Sequence, residues 1–183
     1  MSNIELLQGS SVDAEVDAIV NAANKYLLAG SGVCGAIFAK AGKEQLQEEC
    51  NRYNLPLNDG DAVITSSYNI PNCSYIIHAV GPNFNENPNA FDKLFLAYYN
   101  TFMVLMNNNL HSVSLPLISS GIYGGKLERP VYESAKYCAL AYNQFTSDYP
   151  DYEINVKLYS FLENTLSDCE EAFADNLIKN KTK

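Results

Sequence analysis

Short apolar runs alternate with longer stretches whose apolar residues recur at helical spacing. The runs at 4–8, 18–21, 62–65, 75–80, 113–118 and 154–161 have strand length and strand composition. The first of them reads as an edge strand. Ala18-Ile19-Val20 shows no polar alternation, as expected of a strand covered on both faces. Residues 33–41 and 44–53 read as helices, the second with a solvated acidic face. Phe91, Leu94, Phe95, Tyr98, Phe102 and Leu105 share one helical face and predict a helix from about 90 to 107. Val131, Ala135, Cys138, Ala139, Tyr142 and Phe145 do the same, with Pro130 suited to a first turn. A closing helix is expected over 166–179. Strands alternating with helices predict an α/β fold: a three-layer α/β/α sandwich around a mixed, mostly parallel central sheet. No repeat, low-complexity run or linker divides the chain, so residues 1–183 are expected to form a single domain.

Two glycine-rich loops interrupt this pattern. The first, Asn21 to Gly35, follows the buried run and leads into the helix at 33–41. The second, Ser119-Ser120-Gly121-Ile122-Tyr123-Gly124-Gly125, follows the run at 113–118 and is expected to open a helix as the first does. Glycine lets backbone approach a ligand closely. The first amides of a helix have no internal partner and carry partial positive charge. Two such loops at strand ends predict a crevice for a ligand with more than one phosphate, or a phosphate joined to a sugar. For either loop alone, a tight strand-to-helix turn is the plainer explanation.

Composition narrows the ligand class. The chain has 183 residues, 47% of them hydrophobic, which suits a globular core. Its net charge is -9, with 12 Lys and Arg residues in no cluster, which argues against nucleic acid as a partner. No run approaches membrane-spanning length, so no membrane partner is expected. The five cysteines are widely spaced without a CxxC pair, and a reduced, cytoplasmic setting is the simplest reading. Only two histidines are present, neither beside a cysteine pair, so no metal and no cofactor is expected. Gly30-Ser31-Gly32-Val33-Cys34-Gly35 matches G-x-G-x-x-G. The glycines nevertheless stand nine residues beyond the strand, and no acidic residue ends the next strand. That spacing speaks against nicotinamide or flavin binding.

Asn21 and Asn24 bracket two alanines. Their amides can bond sugar hydroxyls or cap turns, and spacing alone leaves both readings open. His78, on an apolar strand, reads as a core histidine. Asp17 reads as structural, and Glu128-Arg129 as a solvated helix start.

Three motifs in order carry a resemblance: Asn21-Ala22-Ala23-Asn24 with the following Gly30 to Ile37, then Ile77-His78-Ala79-Val80-Gly81-Pro82, then Pro116 to Gly124. Together they resemble the macrodomain family over nearly the whole chain. The likeness is to the bacterial branch that includes hydrolases of ADP-ribosylated protein and of O-acetyl-ADP-ribose. The resemblance implies that ADP-ribose, free or on a mono-ADP-ribosylated protein, is the partner. It implies that Asn24 holds the distal ribose and Asn21 supports the loop. It implies that the diphosphate is wrapped by Gly32, Val33, Cys34 and Gly35 and by Ser119, Ser120, Gly121, Ile122, Tyr123 and Gly124. Tyr123 would cover it, and Phe161 would lie against the adenine.

The chain departs from the family pattern in three places. Gly9-Ser10-Ser11-Val12 stands where the family usually has Gly-Asp-Ile-Thr, whose Asp accepts from the adenine amino group; Ser10 offers a weaker, neutral acceptor there, and Ser11 follows it at the base. Cys34 stands where the hydrolases commonly carry an Asp that positions or activates water, and Phe38 where they commonly carry His. The candidate catalytic residues are thus Asn24 and Cys34. A helix-start cysteine has its thiolate favoured, while a small residue filling a tight loop is the simpler role. Hydrolysis without the Asp remains open by a route in which the substrate's own phosphate activates water near Asn24. A reader that binds ADP-ribose without turnover is the alternative.

Overall fold

In the computed structural model, which describes residues 1–178, the uninterrupted apolar run becomes a central strand. This strand, β2 (Ala18–Ala23), is buried along almost its whole length. It lies between β4 (Tyr75–Val80) and β5 (Ser112–Leu115), both parallel to it. Beyond β5 come β6 (Asn155–Ser160) and the edge strand β1 (Asn3–Gln8). Beyond β4 comes β3 (Ala62–Ser66), so the six-stranded order is β1-β6-β5-β2-β4-β3. Every pairing is parallel except β3 with β4. Only residues 67–74 join that pair, too few for the crossover a parallel connection needs.

Side chains alternate across the sheet and sort the core into two halves. Ile19 and Ile76 face α1 (Gly32–Ala41) and α2 (Lys43–Cys50), where Ile37, Phe38 and Leu46 close over them. Ala18, Val20 and Ile77 face the opposite layer of α3 (Phe91–Asn107), α4 (Pro130–Asp148) and α5 (Leu166–Asn176). The predicted apolar faces of α3 and α4 meet here, with Phe102 and Phe145 edge to face at 5.9 Å. Helices thus cover both faces of a mixed, mostly parallel sheet, as the pattern predicts.

Several expected boundaries move. The strand expected to reach 118 ends at Leu115, because Pro116 has no N–H for the ladder. The last strand ends at Ser160 and leaves Phe161 outside it. The second helix ends at Cys50 rather than at 53. The closing helix ends at Asn176, and residue 179 lies outside the described residues. Asp17 is structural: its Oδ2 accepts from the His111 and Ser112 amides at 2.8 and 3.0 Å, tying the start of β2 to β5. Arg129 is paired with Asp168 and Glu171 and pins the start of α4 to α5. No described helix is long and apolar enough to cross a membrane.

Phe145 is fully buried against Phe102, Tyr99 and Tyr149. Phe145→Ala should destabilise the protein by about 3–5 kcal/mol, seen as a lowered midpoint in urea unfolding.

Candidate functional site

The carboxyl ends of β1, β5 and β6 open into a cavity of about 580 Å³, within the range of small-molecule sites. Gly9, Ser10, Ser11 and Val12 form one wall as the chain leaves β1. Gly32, Val33 and Ala36 form another from the first turns of α1. Pro116, Leu117, Ser120 and Gly121 enter from the second glycine loop, with Val131 of α4 behind them. Tyr159, Phe161, Leu162 and Thr165 close the far side. The two loops therefore share one crevice: Gly32 and Gly121 both line it.

Local backbone chemistry explains how α1 reaches this position. Gly32 takes a positive φ of 60°, which a side chain would resist. Gly35 packs so closely on the preceding loop that an added Cβ would lie 2.5 Å from the Gly30 oxygen. The loop before α1 is held by two amide side chains. Asn24 Oδ1 accepts from the Tyr26 and Leu28 amides, and its Nδ2 donates to the Leu28 oxygen at 2.8 Å. Gln47 of α2 donates from Nε2 to the Leu27 oxygen at 2.9 Å and accepts from the Ala29 amide at 3.1 Å. Gln47 escapes sequence reasoning because it sits on a helix that reads as solvated.

The sequence-derived candidates divide into two groups. Ser10, Ser11, Gly32, Val33, Ser120, Gly121 and Phe161 line the cavity; Asn21, Asn24, Cys34, Gly35, Ser119, Ile122, Tyr123 and Gly124 do not. Ser119 is buried, with its Oγ donating to the Pro82 oxygen at 2.7 Å. Ile122 is 84% exposed and Tyr123 36%. The second loop also differs from the expectation that it opens a helix as the first does. It leads into a single 3-10 turn, Ile122–Gly124, and α4 begins only at Pro130. Gly124 belongs to this fold-back, since an added Cβ would lie 2.9 Å from Pro130. The apolar lining from Val12, Ala36, Leu117, Val131 and Leu162 was not foreseen, because such residues look like ordinary core in a sequence.

Behind the first loop lies a buried polar chain. His78 is fully buried on β4, as expected of a core histidine. Its Nδ1 sits 3.0 Å from Asn21 Nδ2, and its Nε2 2.9 Å from Thr65 Oγ1. Asn21 Oδ1 has no partner among the described residues. Cys34 is 8% exposed, with its Sγ 3.6 Å from the Leu28 oxygen. Burial pushes its thiol pKa up, only partly opposed by the Gly30 backbone and the Asn21 side chain. That corrects the expectation that the helix start favours a thiolate: desolvation outweighs it. No charged side chain among the described residues lines the cavity. Among the described residues no cluster of three or more His, Cys, Asp or Glu is placed to hold a metal ion.

The family model described as Macro domain matches residues 20–132, more than half of the chain. The chain belongs to the macro domain family. It is 41% identical over 134 residues to O-acetyl-ADP-ribose deacetylase 1 of Pantoea vagans, covering 70% of this chain and 77% of that protein. Its fold matches the Oceanobacillus iheyensis macrodomain solved with ADP at a TM-score of 0.84 and 33% identity, over 95% of this chain and 92% of that one. It also matches the Trypanosoma brucei macrodomain in complex with ADP-ribose at a TM-score of 0.79 and 30% identity, over 92% and 68% of the two chains. Relatives of this macro domain therefore include ADP-ribose binders and a deacetylase. The structural matches extend past residue 132, taking in most of the chain beyond the family model.

Burial holds His78 neutral, its pKa lowered to about 3 from an ordinary 6.5. Below 6.5 the unfolded chain binds a proton that the folded chain refuses. Stability is therefore full above 6.5 and is lost as pH falls toward 3. At ~1.4 kcal/mol per pH unit, the loss due to His78 should reach about 2 kcal/mol by about pH 5. Urea unfolding between about pH 5 and 7 should show a shallower slope for His78→Gln than for wild type. Parallel profiles would refute the assignment.

Proposed function

We propose that this macro domain, taken as one domain over residues 1–183, binds ADP-ribose, free or attached to protein. The observation that carries the proposal is the shared crevice: Gly32 at the start of α1 and Gly121 in the second loop line one cavity, with an aromatic ring at its end. The diphosphate would rest between the amides of α1's first turn and those following Ser120. Helix-start amides supply positive potential there without any lysine. The adenine would lie against Phe161, which is 69% exposed although it is a large apolar side chain. The distal ribose would point toward the loop that Asn24 holds. All five cysteines are free, which suits the reducing cytoplasm we propose as its setting.

For chemistry we propose ester hydrolysis, of an acyl ester of ADP-ribose or of ADP-ribose on an acidic side chain. No metal takes part in this scheme. Among the described residues the lining offers no carboxylate, histidine or lysine as a base, and Cys34 is a buried neutral thiol. A phosphate oxygen of the substrate would take the proton from the attacking water. For an acyl ester, the water oxygen adds to the acyl carbon, the bond to the ribose oxygen breaks as the phosphate passes its proton to that oxygen, and acid and ADP-ribose leave. The protein's contribution is orientation. The same bare lining favours a second reading, a reader that binds without turnover.

Calorimetric titration with ADP-ribose should give saturable binding, and Phe161→Ala should weaken it about tenfold, or ~1.4 kcal/mol, with little change in stability. Absence of binding would overturn the proposal. Label release from mono-ADP-ribosylated protein should stay within about threefold in Cys34→Ala, a change of under ~1 kcal/mol in the barrier. It should be lost in Asn24→Ala. Binding with no release by the wild type establishes the reader instead.

A further inference from the structure

The end of the cavity assigned to the base has an unusual chemical inventory. It is formed where β1 and β6 run out side by side, joined by the Gly9 amide donating to the Ser160 oxygen at 2.9 Å. The side chains there are Ser10, Ser11, Val12, Tyr159, Phe161 and Thr165. The polar ones carry only hydroxyls; among the described residues no carboxylate or amide side chain lines the cavity. Thr165 Oγ1 is already engaged with Ser160 Oγ at 2.6 Å and the Leu162 oxygen at 2.8 Å. Ser10 Oγ accepts one long contact from the Val12 amide at 3.4 Å, which leaves its hydrogen free. Ser11 is 4% exposed yet lines the cavity.

We infer that this site accepts 6-oxo purine ligands as well as adenine ones, so that the inosine counterpart of ADP-ribose is also bound. The inference rests on the proposed function and specifies its base preference. A hydroxyl carries one rotatable hydrogen and two lone pairs. Turned one way, Ser10 or Ser11 accepts from the 6-amino group of adenine. Turned the other way, it donates to the 6-oxo oxygen of hypoxanthine. A carboxylate in that place would only accept, and would set a lone pair against the 6-oxo group. Stacking on Phe161 is indifferent to this exchange, since both bases present a π face. Shape and stacking therefore select a purine. N1 changes as well, from an acceptor in adenine to an N–H donor in hypoxanthine, and the second of the two hydroxyls can turn to donate to the one or accept from the other.

The test is calorimetric titration of the intact protein with ADP-ribose and, separately, with its inosine counterpart. The two dissociation constants should agree within about threefold. Ser10→Asp, which keeps a side chain able to cap the Val12 amide, should separate them by about tenfold or more in favour of ADP-ribose. Tight ADP-ribose binding with the inosine ligand more than about tenfold weaker in the wild type overturns the inference and leaves the proposed function standing. Failure of both ligands overturns the proposed function itself. The wild-type ratio decides the matter even where the variant does not fold.

Discussion

The contact on which the site depends is between two pieces of backbone. Gly35 lies so close to the Gly30 carbonyl that no side chain fits between them. This contact folds the start of α1 back on the loop that leaves β2, and Gly32 and Val33 of the first helical turn line the cavity. Asn24 and Gln47 then fasten the same loop from either side. The sheet supplies the other half of the geometry. With β5 and β2 parallel neighbours, both glycine loops must emerge at the same end of the sheet. The shared crevice follows from sheet order and from one missing side chain.

Much of this was legible because it rests on local patterns. The continuous apolar run of β2 announced a strand covered on both sides, and the apolar stripes of α3 and α4 announced their packing faces. Strand-loop-helix order placed the first glycine loop correctly. Other features depend on distant residues and leave no local trace. Antiparallel β3 is a matter of connection length and edge position, invisible in a run of five residues. The second loop's 3-10 turn comes from packing Gly124 against Pro130, whereas glycine spacing alone resembled that of the first loop. Gln47 reaches its loop only after α2 has docked. The apolar lining at Leu117, Val131 and Leu162 becomes a site only when three separated segments converge.

The polar chain behind the first loop shows the opposing demands placed on one position. Asn21, His78 and Thr65 exchange hydrogen bonds in a setting where an unpaired group is costly. Cys34 stands at the end of this chain, beside Asn21. An ionised side chain there would gain from the helix start but lose its solvation. For the thiol the loss dominates, and the proton stays on. Position 34 thus supports the loop as a small neutral filler. The chemistry proposed for the site has to come from the ligand and from geometry rather than from this side chain.

Net charge adds a final constraint. A chain carrying -9 repels an anionic ligand at long range, and salt at physiological strength screens that repulsion beyond about 8 Å. Inside the crevice the setting differs: among the described residues no carboxylate lines the wall, and the start of α1, with the partial positive charge of its first amides, does. These dipoles act only over the length of one helical turn. For the ADP-ribose we propose as ligand, attraction would therefore begin only once the diphosphate has entered. An acidic surface around an uncharged cavity edged by main-chain amides would suit the short diphosphate we propose, where a basic surface would draw any phosphate polymer.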